Sequence, residues 1–369
     1  MWTHLGRLSL LLAWLCALPA AAQTLTIHFL DVGQGDAALI KTAEGRTVLI
    51  DAGPPEAGDA LARRVSTLTS GPIDLLILSH PHLDHLGGFV KVIEKVGAKR
   101  YLEPGFEHAT GAYTALLETL ARHKIEVRTT DRNPEQRDEP LEINLGGGAK
   151  LTVVWPQRPL HPFLLDTRSD PNANSIVARL SYGDHTVLFT GDAEPETEAQ
   201  FMKLGTDLRA DVLKVGHHGS RYSSTTPFLR RIQPKLAVIS CGADNTYGHP
   251  AEETLDRLEG VGARVVRTDV DGEITLRINA SGISMRTTKS RSETLVVHPL
   301  VSGGARAGAV PASALIDESR EVYVASKRSK VFHKADCAAA QHIKKDNLVH
   351  FTTREAAAKA KTPAKDCRP

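Results

Sequence analysis

The chain has 369 residues, 45 Lys or Arg against 43 Asp or Glu, and 41% hydrophobic residues. That balance removes any global argument for binding a polyanion, and four cysteines are too few for a disulfide framework. The length suits one domain of ordinary size with a small appendage.

Residues 1–22 carry His4 and Arg7, an apolar run from Leu8 to Leu18, and Ala20-Ala21-Ala22. This reads as a secretory signal peptide, too short for a spanning helix. Its removal takes away Arg7 and Cys16 and places the remaining chain outside the cytoplasm, secreted or periplasmic. Cys16 follows Leu15 inside the apolar run, so no lipid anchor is expected. No later stretch is long and apolar enough to span a membrane.

From Thr24 the pattern alternates. Leu25 to Leu30, Ala37 to Lys41 and Thr47 to Ile50 read as strands, with Gly33, Gly35 and Gly45 marking turns. Pro54 to Thr69 reads as a helix, and Ile73 to Leu78 as a buried strand. Ser79-His80-Pro81-His82-Leu83-Asp84-His85-Leu86-Gly87-Gly88 follows, and the glycines open an amphipathic helix from Phe89 to Val96. Imidazole and carboxylate are ligands for a borderline cation such as zinc. Four such groups in six positions are too many for one tetrahedral ion with an open site. They suit two ions, one taking His80 and His82, the other Asp84 and His85.

Gly111 to His123 reads as a helix, and Thr130 to Glu142 as a polar loop. Strands are expected at Leu151 to Trp155, Ser175 to Tyr182 and Thr186 to Phe189. Helices at 195–204, 226–232 and 251–259 then alternate with strands at 212–215, 236–240, 264–267 and 273–279. Two layers of strands with interspersed helices fit two sheets back to back. The pattern alone leaves a doubly wound sheet open.

The ordered motifs FLDVGQGD (29–36), LIDAG (49–53), SHPHLDHLGG (79–88), TGDA (190–193), GHHGS (216–220) and YGHP (247–250) carry a resemblance. Over residues 25–287 the chain resembles the metallo-β-lactamase superfamily. Within it, the motifs are similar to the extracytoplasmic hydrolase domain of ComEC competence proteins and its secreted stand-alone relatives. The resemblance implies a four-layer αββα sandwich. It implies two divalent ions, zinc or manganese, held by His80, His82, Asp84, His85, Asp192 and His249, with Asp192 bridging them. Asp84 is also a catalytic candidate, because it can take a proton from the nucleophile. His217 or His218 is expected to contact a metal or stabilise charge on the substrate. Asp31 and Asp36 read as loop-forming or supporting residues. Asp51 is placed to accept a ring N–H from a ligand histidine or simply to order its turn. Ser220 belongs to the same supporting set. Many superfamily members have a histidine shortly before the bridging aspartate's strand. Here Asn172 or Asn174 stands there, and an amide oxygen is a poorer zinc ligand.

Divalent ions give a nucleophile at neutral pH by lowering the pKa of water. That chemistry serves phosphodiesters, lactams, lactones and thioesters alike. The resemblance favours phosphodiesters, with DNA or nucleotides as substrate. The alternatives are a hydrolase of lactams, lactones or other small esters, and a non-catalytic DNA-binding accessory protein. Lys214, Arg221, Arg230 and Arg231 lie near the late histidines and could bind phosphate. No aromatic and basic stripe that would grip a single strand is visible in the sequence of the core domain.

Residues 288–319, rich in Ser, Gly, Ala and Pro, read as a linker. A basic module follows over 320–369, with twelve Lys or Arg against five Asp or Glu. It resembles an Ada-type metal-binding module with α+β character. That pattern ends in Pro-Cys-x-x-Cys, whereas this chain has Pro363-Ala364-Lys365-Asp366-Cys367. His333, Cys337 and Cys367 remain as a short ligand set. A Cys337–Cys367 disulfide is the alternative staple, and the one expected in an oxidising compartment.

Overall fold

The computed structural model describes residues 24–131, 140–205, 207–289, 323–327, 329–334, 347–351 and 361–363. The signal peptide, all but the first two residues of the predicted linker, Cys337 and Cys367 lie outside the described residues. The chain divides into two compact units, Met1–Leu300 and Val301–Pro369, and the division falls within the predicted linker.

The first unit begins with antiparallel strands β1 (Leu25–Phe29), β2 (Ala38–Lys41) and β3 (Thr47–Ile50). A parallel run follows: α1 (Gly58–Leu68), β4 (Leu75–Ile77), α2 (Leu83–Leu86), α3 (Phe89–Val96), β5 (Arg100–Glu103), α4 (Gly111–Arg122) and β6 (Glu126–Thr129). The second half repeats the plan. Antiparallel β7 (Leu141–Gly146), β8 (Ala149–Trp155), β9 (Val177–Tyr182) and β10 (His185–Phe189) come first, with α5 (Asp170–Ala173) between β8 and β9. Then α6 (Pro195–Lys203), β11 (Val212–Lys214), α7 (Thr226–Ile232), β12 (Leu236–Ile239), α8 (Glu252–Gly260) and β13 (Arg264–Arg267) run parallel. After α9 (Thr268–Asp271), the hairpin β14 (Ile274–Asn279) and β15 (Gly282–Thr287) returns to the first sheet.

The sheet orders are β15-β14-β1-β2-β3-β4-β5-β6 and β13-β12-β11-β10-β9-β8-β7. Period-two patterning assigns the faces. Ile27, Phe29, Val48, Ile50, Leu75 and Ile77 of the first sheet meet Leu151, Val153, Leu180, Val187 and Phe189 of the second in one core. Phe29 and Phe189 stack across it, ring centroids 6.1 Å apart. The opposite face of the first sheet (Leu39, Leu49, Leu76) packs on α1, α3 and α4 through Leu61, Val65, Phe89, Val92, Leu116 and Leu120. The opposite face of the second (Leu188, Leu213, Ala237) packs on Phe201, Phe228, Leu229 and Leu258 of α6, α7 and α8. Each fully buried Leu, Ile or Phe contributes about 1.5–3 kcal/mol. The architecture is the αββα sandwich.

The structure corrects the reading at β5, β6, β7 and β15, which were not expected from sequence. β6, β7 and β15 are edge strands. Edges carry charged and polar residues and give weak periodic signals. β7 takes Leu141 and Glu142 from the stretch read as a loop, and residues 132–139 lie outside the described set.

In the second unit, β16 (Tyr323–Ser326), β17 (Val331–Lys334), β18 (Leu348–Phe351) and β19 (Thr362–Pro363) form one sheet, ordered β18-β16-β17-β19. His333 lies buried on β17. Among the described residues no helix is long and apolar enough to cross a membrane.

Candidate metal centre

Polar residues collect at the carboxyl ends of β3, β4, β10, β11 and β12, where open α/β sheets bind ligands. The turn after β4 is held by Asp51, which follows β3 in a left-handed conformation (φ 58°). Its Oδ1 accepts the backbone N–H of Ser79 at 2.7 Å and its Oδ2 the Ser79 hydroxyl at 2.7 Å. The same Oδ2 lies 2.9 Å from Nδ1 of His85. That contact fixes the His85 ring and leaves Nε2 facing inward. The turn therefore has a support that the sequence named only in part: Asp51 was a candidate, Ser79 was not.

The inward face converges on Asp192, which follows β10. His85 Nε2 is 3.3 Å from Asp192 Oδ1, and ring nitrogens of His80, His217 and His218 lie 3.7, 3.8 and 3.8 Å from Oδ2. On one side His80 Nε2 and His82 Nδ1 are 3.0 Å apart. Two ring nitrogens sharing a tetrahedral zinc lie ~3.3 Å apart, so this pair has the spacing of ligands to one ion. On the other side Asp84 Oδ2 sits 3.2 Å from His218 Nε2 and 3.9 Å from His85 Nε2. The groups His80–His85–Asp192 and Asp84–His85–His218 each gather their ligand atoms within 4.8 Å. His85 Nε2 and Asp192 Oδ1 are buried and have no hydrogen-bond partner. Orphaned buried donors and acceptors are costly, and a cation between them satisfies both. The residues present fit divalent-metal binding.

The electrostatics agree. Burial opposes charge on Asp192, but the surrounding imidazoles, His85 foremost, hold its carboxyl well below the usual range. Burial likewise opposes charge on His85 and His218. Asp192 and its neighbouring carboxylates outweigh it, raising His85 well above its ordinary value and His218 to about 10. Such values describe ligands that must surrender protons when a cation binds.

His218 stands where His249 was expected. Its Nδ1 faces the Ser240 carbonyl at 3.0 Å and Asp36 at 3.3 Å, which turns Nε2 to Asp84. Both His217 (φ 47°) and His218 (φ 52°) are left-handed, so the tight GHHG turn aims both rings inward. His249 is half-buried, its ring 5.4 Å from that of His217 and 6.2 Å from that of His218, outside the ligand groups. Burial and the cationic rings of His217 and His218 push it down to about 4.

The supporting residues separate by role. Asp36 pairs with Lys214 at 2.7 Å as well as with His218. Lys214 is buried in that pair, which corrects its reading as a phosphate ligand. Gly35 admits no side chain, because a Cβ there would sit 2.4 Å from the Asp84 carbonyl oxygen. Asp31 lies outside the ligand groups, paired with exposed Lys289 at 3.1 Å. Ser220 shapes the turn: its N–H reaches the His217 carbonyl at 2.7 Å, and its hydroxyl accepts from Tyr222 N–H at 3.3 Å. Arg221, Arg230 and Arg231 are exposed.

The two asparagines differ. Asn174 is consumed structurally, its Nδ2 donating to the carbonyls of Leu164 and Asp170 at 2.8 Å each and its Oδ1 accepting from Leu164 N–H at 2.9 Å. Asn172 is buried, and its Oδ1 has no hydrogen-bond partner. The sequence reading missed Glu194, which is 1% exposed and lies 3.1 Å from His217 Nδ1. Its only sequence signal is its place two residues after Asp192, too little to single it out.

The family model described as the metallo-β-lactamase superfamily matches residues 30–243, more than half of the chain. The chain belongs to this superfamily. Its members are generally metal-dependent hydrolases, and the chain is a hydrolase of that kind. The chain is 28% identical over 292 residues to the ComE operon protein 3 of Bacillus subtilis, covering 74% of this chain and 34% of that protein. It is 30% identical over 256 residues to the competence protein ComA of Neisseria gonorrhoeae, covering 69% and 32%. It is also 30% identical over 261 residues to recombination protein 2 of Haemophilus influenzae, covering 69% and 29%. These are ComEC-like competence proteins, and the chain spans about a third of their length.

Proposed function

We propose that the first unit is a dinuclear phosphodiesterase acting on DNA or nucleotides outside the cytoplasm. The observation that carries this reading is the single carboxylate of Asp192 among four imidazoles, with His80 and His82 on one side and Asp84, His85 and His218 on the other. Two zinc or manganese ions there would supply electrostatic stabilisation of phosphate oxygens and a nucleophile at neutral pH. The protein's own contribution is orientation. Asp51 fixes His85, Asp36 and the Ser240 carbonyl fix His218, and Glu194 fixes His217. His217 and His249 are only partly buried and border the ligand cluster, placed to contact a substrate. The relatives' names, competence protein and recombination protein, favour DNA over a lactam.

The full chain loaded with zinc or manganese is the sample to test. Chelator-sensitive hydrolysis of bis-p-nitrophenyl phosphate and DNA is expected. Turnover of nitrocefin without turnover of either phosphodiester would overturn the reading.

A further inference from the structure

Arg168 and Tyr222 come from different connections, the first between β8 and β9, the second between β11 and α7. They meet with the Arg168 guanidinium carbon 3.5 Å from the Tyr222 ring centroid. Arg168 Nε lies 3.9 Å from Glu194 Oε2, while Glu194 Oε1 holds His217 at 3.1 Å. One carboxylate and one imidazole thus separate this cation from Asp192. We infer that Arg168, laid flat on Tyr222, binds a second phosphate of a nucleic-acid substrate, next to the phosphodiester being cleaved. The inference rests on the phosphodiesterase reading above.

A purely structural role does not account for the pair. Glu194 Oε2 has no hydrogen-bond partner, so the guanidinium is near it without donating to it. A half-exposed ion pair at that distance contributes little. Stacking orders the guanidinium plane while leaving its N–H edge available, and a pre-organised planar fork matches phosphate. The loop carrying Arg168 is also pinned on both sides. Asn174 clamps Leu164 through two hydrogen bonds and donates a third to the Asp170 carbonyl. Asp170 Oδ1 accepts from the Thr167 N–H at 2.9 Å and hydroxyl at 2.7 Å. A loop fixed this way presents a cation in one place, at low entropic cost on binding. The two side chains also supply the basic and aromatic partnership that the linear sequence did not display, because they lie more than fifty residues apart.

The test is fluorescence anisotropy of the metal-loaded full chain in an Asp84→Asn background, with labelled tetrathymidylate at several salt concentrations, compared with Arg168→Ala and Arg168→Lys. Arg168→Ala should weaken binding about tenfold. It should also lower the slope of log affinity against log salt by about 0.7, the signature of one lost phosphate contact on a single strand. Arg168→Lys, a point charge, should keep most of the slope. Steady-state kinetics with active protein should place the Arg168→Ala effect mainly in KM for the oligonucleotide. An unchanged slope, or equal losses for oligonucleotide and bis-p-nitrophenyl phosphate, would overturn the subsite. If no phosphodiester is turned over but the slope still falls with Arg168→Ala, the subsite stands and the catalytic reading falls.

Discussion

Asp84 and Asp51 act on the same turn in different ways, and substitutions can tell them apart. Asp84 points into the ligand cluster, with Oδ2 3.2 Å from His218 Nε2. Asp84→Ala is expected to cut phosphodiester hydrolysis at least a hundredfold, roughly 2.7 kcal/mol of barrier, with an unchanged circular dichroism spectrum and about one ion lost by elemental analysis. Retention of activity within about tenfold would remove Asp84 from the site. Asp51 lies with Asp36 and His85 within 4.8 Å, and its own hydrogen bonds go to His85 and Ser79. Removing such a support weakens metal affinity or activity by about 10–100-fold. Asp51→Asn keeps the shape but loses the charge that orients the His85 Nδ1–H. We expect both ions to remain at saturating metal, and chelator competition to show the weaker hold.

At the scale of elements, α6 and α7 are joined through one buried carboxyl. Glu198 on α6 accepts from Ser224 N–H at 2.6 Å, Thr225 N–H at 3.0 Å and the Thr225 hydroxyl at 2.5 Å, at the start of α7. Burial dominates those hydrogen bonds and raises its pKa from 4.5 to about 7. Between those values the folded chain holds a proton that the unfolded chain has released, so stability falls as pH rises through that window. At about 1.4 kcal/mol per pH unit the cost approaches roughly 3 kcal/mol. Glu198→Gln mimics the protonated acid and should flatten stability between pH 4.5 and 7. Denaturant midpoints across that range measure it, and an unchanged pH slope would show that Glu198 stays ionised. The ligand-bearing turns need no such device. They begin where short, fully buried parallel strands end, β4 over Leu75–Ile77 and β11 over Val212–Lys214.

At the scale of the molecule, metal and fold are linked. His218, raised to about 10, carries a proton in the metal-free protein at neutral pH. A cation must displace that proton, so affinity should rise with pH and binding should release protons. Calorimetry in buffers of different ionisation enthalpy reads the release, and no buffer dependence would contradict it. A chelator should lower the unfolding temperature, because ions bound only to the folded state stabilise it. The second unit is predicted to be dispensable for chemistry, since every ligand candidate in the first unit precedes Pro250. Deleting residues 320–369 should leave bis-p-nitrophenyl phosphate turnover within about twofold and weaken DNA binding, more so at low salt. Alkylation without reductant followed by mass spectrometry should find Cys337 and Cys367 unmodified if they are bridged. A bridge closing a loop of about 30 residues stabilises by roughly 3–4 kcal/mol. Cys241 stays outside that exchange: it is buried, with its thiol pushed up to about 12 by burial and by Asp269.

The strand and helix pattern narrowed the chain to a layered α/β fold, and the ordered motifs, through their resemblance, pointed to the αββα sandwich and to the first candidate ligands. Candidate ligands packed into six positions after a buried strand are a local signal; two-residue alternation marks β1 and β14, while β3, β4, β11 and β12 are buried at every position. The sequence did not determine which late histidine joins Asp84 and His85. That choice depends on two left-handed residues in the GHHG turn and on Asp36 and Ser240, which fix His218 from strands far apart in the chain. Nor did it separate Asn172 from Asn174, or reveal Glu194, Arg168 and Tyr222. Spacing reports what neighbours along the chain can do together. Partnerships between loops arise only when two sheets pack and bring the ends of their parallel strands to one edge.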